Sequence, residues 1–383
     1  MKSWIEISEA RLQRNYDVLR ERAGAGTSVM AVVKADAYGH GDSTCAVALA
    51  RAGAEWFGVA DVREGAAVRH ALDAAGFAAA GVLVLCGLPA EDVPAIAQHR
   101  LTPVVWTAEQ ARALAGVRGL RVHVELETGM GRQGCRPGAE LDAVLDAMGA
   151  AGLSLGGVMT HFCSAEVVGS PKTREQMLEF ECGVEQIAAR GIRPEWVHAG
   201  ASSTLDNPDW NPAWPAGLAE RVGARAMVRC GIALYGYCNP LDGGASQVRP
   251  KLLPVMTWKT RVVDVQEMRA GDCIGYNSLF IATAPMRLAL LPVGYADGLR
   301  RSLSSTTERE GGWVMVRGER APIIGRISMN LTMVDVSAIA DVAAGDEVVL
   351  LGDGITADEH ARQAETISYE ILCGIRGEPT SSQ

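Results

Sequence analysis

Val33-Lys34-Ala35-Asp36-Ala37-Tyr38-Gly39-His40-Gly41 follows the apolar run Ser28 to Val33 and precedes an amphipathic stretch from Asp42 to Ala52. The order is strand, lysine, glycine-containing loop, helix. Working outward, more short apolar runs appear at Val82 to Leu85, Leu101 to Trp106, Leu120 to Leu126, Leu155 to Thr160 and Trp196 to His198. Helical periodicity lies between them at Val62 to Ala74, Thr107 to Ala115 and Lys172 to Ala189. Repetition at this spacing predicts parallel strands joined by helices. Enough units precede Tyr235 to close an eight-stranded α/β barrel, although a doubly wound sheet would read similarly. In a parallel barrel a lysine at a strand end sits on the catalytic rim, where its amine can condense with a carbonyl. Taken alone, Lys34 is better read as a solvated strand-end charge.

Beyond Gly236 the texture changes. Val262 to Met268, Leu288 to Pro292, Trp313 to Arg317 and Glu347 to Leu351 read as strands divided by Gly, Asp and Pro turns. Short helices are expected only at Ala357 to Ala364 and Ile367 to Cys373. The expected organisation is therefore a (β/α)8 barrel over residues 1–238 and a mainly β domain over residues 239–383, with the first strand available to join the β domain. The run Asn239-Pro240-Leu241-Asp242-Gly243-Gly244 is the expected linker.

The 383 residues are 48 % hydrophobic and 21 % charged, which predicts a sizeable core rather than disorder. A net charge of -9 argues against a general nucleic-acid binder. No apolar run approaches the roughly 20 residues of a membrane span, and the opening residues lack signal-peptide character. Nine scattered cysteines, with no Cys-x-x-Cys or Cys-x-x-His spacing, speak against zinc and for thiols in a reducing cytoplasm.

Lys34 does not stand alone. Glu127-Thr128-Gly129-Met130-Gly131-Arg132-Gln133-Gly134, Thr160-His161-Phe162 and Arg229-Cys230-Gly231-Ile232-Ala233-Leu234-Tyr235-Gly236 follow in order. Then come Gly275-Tyr276, Leu291-Pro292-Val293-Gly294-Tyr295-Ala296-Asp297-Gly298, Gly325-Arg326-Ile327-Ser328-Met329-Asn330 and Ile367-Ser368-Tyr369-Glu370. Each motif is weak by itself. The ordered set, running from Trp4 to Cys373, resembles the alanine racemase family.

That resemblance implies an N-terminal (β/α)8 barrel, a β domain, pyridoxal 5′-phosphate as cofactor and a homodimer whose sites use both subunits. It implies a small amino-acid substrate. Racemisation takes a proton from one face of the α-carbon and returns one to the other, so two acid–base groups must flank the substrate. The resemblance assigns these to Lys34, which also carries the cofactor, and to Tyr276 of the second subunit. Arg229 resembles the arginine facing the pyridine nitrogen, with His161 beside it. Tyr38, Ser202, Gly231, Ile232 and Tyr369 resemble the phosphate-binding residues. Arg132 resembles the residue near the cofactor phenolate and substrate carboxylate, Met329 a substrate-contacting position, and Tyr295 a gate.

Three positions depart from the family pattern. Many members carry a carbamylated lysine at the place of Glu125, where the negative group holds the equivalent of Arg132. Glu125 is shorter, although a carboxylate can pair with a guanidinium directly. Ala201 stands where asparagine usually precedes the serine, and Asn330 stands where aspartate is usual. These changes predict a divergent racemase acting on alanine, serine or another small amino acid. A decarboxylase of the same architecture and a non-catalytic pyridoxal-phosphate-binding relative are the alternatives.

Overall fold

The computed structural model describes residues 2–380. The chain divides into two compact units. One comprises Leu12–Ala37 and Asp42–Leu253. The other takes the N-terminal residues through Arg11, the segment Tyr38–Gly41 and the chain from Pro254 onward.

The first strand, β1 (Ser3–Ile7), belongs to the second unit. The first unit is a closed parallel barrel. Its strands are β2 (Thr27–Val32), β3 (Trp56–Val59), β4 (Gly81–Val84), β5 (Thr102–Val105), β6 (Arg121–Glu125), β7 (Ser154–Met159), β8 (Trp196–Ala201) and β9 (Arg225–Cys230). Closure is made by β9 pairing with β2, with Met30 opposite Arg229, which excludes a doubly wound sheet. The apolar runs do not mark β3 and β9. The former is four residues long and contains Gly58; the latter carries arginines at both ends of its span.

Barrel strands are buried on both faces, so polar residues inside them must find partners. On β6, Val122 and Val124 are buried, and so are His123 and Glu125. His123 meets His198 of β8 through an Nδ1···Nε2 contact of 2.9 Å. Trp56 packs on His123 at 5.3 Å and edge-on to Trp196 at 6.0 Å. A Cβ on Gly157 would lie 2.7 Å from the His123 ring, so this position must stay glycine for the imidazole pair to fit. Desolvation pulls His123 down to about 3 and His198 well below the usual value, so both are neutral.

The two units divide at Leu253, beyond the expected linker. Backbone bonds explain why the Asn239–Gly244 run stays with the barrel. Asp242 N–H donates to Glu166 O at 2.9 Å, and Val168 N–H donates to Asp242 O at 3.0 Å.

The second unit is mainly β. Its strands after β1 are β10 (Met256–Arg261), β11 (Asp264–Met268), β12 (Cys273–Ile274), β13 (Phe280–Ile281), β14 (Met286–Leu291), β15 (Trp313–Val316), β16 (Glu319–Ile324), β17 (Thr332–Asp335), β18 (Glu347–Leu351) and β19 (Glu378–Thr380). Eight of these join β1 in one sheet, in the order β11-β14-β17-β16-β15-β18-β10-β1-β19, and β12 pairs with β13. The expected Val262–Met268 strand is β11, which begins two residues later, at Asp264. Ile274, Ala282, Leu288 and Ile324 form an apolar cluster, with Phe280 and Met333 packed against it. Among the described residues, no helix is long and apolar enough to cross a membrane.

Candidate active site

Lys34 directly follows β2 and Val33. The turn after it is not the ordinary loop expected. Ala35, Asp36, Ala37 and Tyr38 have φ of 53, 53, 53 and 55°, a single turn of left-handed helix built without glycine. Each such residue is disfavoured by its Cβ, so the turn persists only where its surroundings hold it. Ala37 N–H donates to Val33 O at 2.9 Å, and Asp42 N–H donates to Asp36 Oδ1 at 2.9 Å. Burial, partly offset by the Asp42 amide, raises the Asp36 carboxyl.

Beside β2, the end of β9 supplies Arg229. Its guanidinium is buried, and every acceptor it reaches is neutral. Nη2 donates to Thr160 O at 2.7 Å and to His161 Nδ1 at 3.2 Å; Nη1 donates to His198 O at 3.1 Å. Burial pulls Arg229 down to about 10, which leaves it charged at neutral pH. Arginine cannot accept, so His161 Nδ1 must, and the His161 proton sits on Nε2. Burial, reinforced by the charges of Arg229, Arg132 and Lys34, brings His161 down to about 3. Gln176 fixes this loop, donating to His161 O at 3.0 Å and to Thr128 Oγ1 at 3.2 Å and accepting from Cys163 N–H at 3.0 Å.

Ser202 opens the turn after β8. Its Oγ accepts from Gly231 N–H at 3.1 Å and Ala233 N–H at 3.2 Å. Both lone pairs are thereby engaged, and its O–H remains as a donor. The short 3₁₀ turn Ile232–Tyr235 leaves its leading amides outside any helical ladder. Lys34, His161, Ser202, Arg229, Gly231 and Ile232 therefore share one rim of the barrel, the carboxyl ends of β2, β7, β8 and β9.

Arg132 lies on an exposed loop after β6. That loop is organised by Glu127, whose carboxylate takes the Gly129, Gly131 and Arg132 amides, the last two at 2.7 and 3.3 Å. Glu125 is 2 % exposed and lies inside the barrel. The hydrogen-bond donor to it is the Gln133 amide, which also reaches Leu85 O at 3.0 Å. Burial raises the Glu125 carboxyl, and the Gln133 bond and the charges of Arg229 and Arg132 offset this only in part.

The remaining expected residues belong to the second unit. The Tyr38 ring packs edge-on against Tyr369 with centroids 5.9 Å apart. Tyr276 heads a tight turn after β12 and is 64 % exposed. Tyr295 N–H donates to Ser328 O at 3.1 Å and Ala296 N–H to Met329 O at 3.0 Å, which sets Tyr295 beside Met329. Sequence reading assigns no role to Glu127, Gln133, Gln176, His123 or His198. For His123, His198 and Gln176 the signal is a polar residue inside an apolar strand or helix face, visible only once burial is known; Glu127 and Gln133 lie in the loop after β6 and act through bonds that folding brings together.

Comparison with known families decides the class. The alanine racemase N-terminal domain matches residues 7–239 and the alanine racemase C-terminal domain matches residues 255–381. The chain belongs to the alanine racemase family. An alanine racemase of Symbiobacterium thermophilum is 38 % identical, over 97 % of this chain and 94 % of that protein. One from Syntrophobacter fumaroxidans is 36 % identical, over 97 and 95 %. Among solved structures, the alanine racemase of Streptomyces coelicolor superposes with a TM-score of 0.84 at 32 % identity, covering 99 % of this chain and 97 % of that one. Alanine racemases are pyridoxal-phosphate-dependent amino-acid racemases, and the decarboxylase alternative is not favoured. The barrel rim suits that cofactor chemically. It offers an amine at Lys34, a charged guanidinium at Arg229 whose hydrogen-bond acceptors are neutral, and a hydroxyl donor at Ser202 beside the leading amides of the Ile232–Tyr235 turn.

Proposed function

We propose that this member of the family racemises a small amino acid, alanine or serine, with pyridoxal 5′-phosphate held on Lys34. The observation that carries the reading is Arg229: a buried, charged guanidinium next to the Lys34 strand, with only neutral acceptors. When bound, the cofactor supplies a conjugated ring that draws electrons from the substrate α-carbon. Arg229 would face the ring nitrogen and disfavour its protonation, which restrains that pull and limits side reactions. Ser202, Gly231 and Ile232, with Tyr38 and Tyr369, would hold the phosphate. Lys34 Nζ would exchange the proton on one face of the substrate and Tyr276 Oη the proton on the other. Arg132 would bind the substrate carboxylate, Met329 would contact the substrate and Tyr295 would gate entry.

Tyr276 is assigned to a neighbouring copy of the chain, so the working form is a homodimer. Tyr276, Met329 and Leu331 are 64, 56 and 44 % exposed, an apolar set suited to a protein contact. The cytoplasm is the assigned compartment, and all nine cysteines are free thiols.

The test is α-proton exchange in deuterium oxide across a panel of L- and D-amino acids. The reading expects exchange and inversion of alanine, serine or both. Release of carbon dioxide instead, or no exchange with any small amino acid, contradicts it. Mixing the inactive Lys34→Ala and Tyr276→Phe proteins should restore about a quarter of the activity through hybrid dimers; no recovery contradicts the shared site.

A further inference from the structure

We infer that Glu64 is a positioning residue for Lys34, a role that rests on the reading of Lys34 as the cofactor-bearing amine. β2 and β3 run parallel, with Val32 opposite Gly58, and the ladder continues one step to Val33 N–H on Gly58 O at 2.8 Å. There the chain after β2 turns left-handed. The next amides of the two strand ends are those of Ala35 and Ala60. A single carboxylate takes both: Glu64 Oε1 accepts from Ala35 N–H at 2.8 Å and Oε2 from Ala60 N–H at 2.8 Å. Glu64 is itself anchored in the first turn of the Val62–Ala74 helix, where its own N–H donates to the Asp61 cap at 2.9 Å.

The Ala35 N–H belongs to the peptide plane that joins Lys34 to Ala35. Holding that plane fixes ψ of Lys34, and with it the direction in which the Lys34 side chain leaves the backbone. It also holds the entrance of a turn whose four residues would each relax to another conformation if released. The exit is held by Asp36 on the Asp42 amide. Glu64 thus ties the reactive lysine to the neighbouring strand end through charge-assisted bonds, which are stronger than neutral ones. Glutamine could accept from one amide only, because its NH₂ would confront the other N–H.

The experiment compares Glu64→Ala, Glu64→Gln and Asp61→Ala with the unaltered holoenzyme. Asp61→Ala removes the cap of the same helix but leaves the Ala35 bond. Amide hydrogen exchange is followed in the peptide covering residues 33–39. In parallel, the rate of cofactor attachment is read by borohydride trapping and peptide mass mapping. Exchange should accelerate by about tenfold to a hundredfold in Glu64→Ala, less in Glu64→Gln, and not in Asp61→Ala. Attachment should slow in the same order, while Asp61→Ala lowers only the melting temperature. Unchanged exchange in Glu64→Ala, or equal exchange in Asp61→Ala, overturns the inference. Should Glu64→Ala not fold, Glu64→Gln against Asp61→Ala decides the same question. Cofactor trapped away from Lys34 overturns the functional reading, and with it the purpose assigned to Glu64, whatever the exchange order.

Discussion

β2 and β3 end side by side on one rim of the barrel, yet the chain leaves them with opposite hands. After β3, Asp61 is extended (φ −133, ψ 176), caps the following helix through its side chain, and the chain continues as an ordinary right-handed helix. After β2, Lys34 leads into four left-handed residues held by bonds from elsewhere in the barrel. The β3 end follows local preference: Asp favours the cap, and the turn assembles itself. The β2 end opposes local preference, and such conformations collect where a site needs them. One strand end therefore serves stability and the other serves a geometry that the chain would not adopt alone.

The largest expected effect separates the two ends by function. Lys34→Ala should abolish cofactor attachment and lower racemase activity by about a thousandfold, whereas Asp61→Ala should cost about 1 kcal/mol of stability and leave turnover near normal. Visible absorbance, initial rates and thermal melts check both; retained activity in Lys34→Ala, or loss of turnover in Asp61→Ala, breaks the comparison. A smaller effect concerns Glu125, buried on the same barrel interior. Its carboxyl is raised by burial in the folded chain. At low pH it is protonated in folded and unfolded states alike; as pH rises through the unfolded value and then the folded one, the folded state alone bears the cost of a buried charge. Glu125→Gln should therefore match the parent below about pH 4 and be relatively more stable at neutral pH and above. Parallel melting curves across that pH range that never diverge would refute the burial argument. The smallest effect has opposite signs at the two ends. Ala35→Gly removes the Cβ penalty of the left-handed turn, of about 1–2 kcal/mol, against a loss of about 0.5–1 kcal/mol in chain entropy, so it should be neutral to slightly stabilising. Arg63→Gly, in the right-handed helix, should destabilise by about 1 kcal/mol. Denaturant melts of the two variants shifting the same way would contradict the assigned hands.

The same contrast explains what the sequence made legible. The Val62–Ala74 helix is found where its periodicity places it, because cap and amphipathic face are local signals. Strand β18 coincides with the Glu347 to Leu351 run for the same reason. β3 and β9 were not marked, since a four-residue strand with glycine and a strand that contains Arg225 and Arg229 lack a continuous apolar signature. The left-handed turn was illegible because no glycine within Ala35–Tyr38 announces it, and one of the bonds that hold it comes from Glu64, in another element. Glu125 alternates with His123 and Glu127 as a solvated face would, but inside a barrel that face points to the interior. The motif order was enough to identify the family, whereas Gln133, Gln176 and Glu64 act through tertiary contacts that no spacing encodes.

The central claim is that the amine at the strained strand end is the one that carries the cofactor. Reduction of the holoenzyme with borohydride, followed by peptide mass mapping, tests it most directly. The account predicts the pyridoxyl group on Lys34 and nowhere else. Its recovery on Lys2, Lys172, Lys251 or Lys259, or the absence of any labelled peptide from an active preparation, would contradict it.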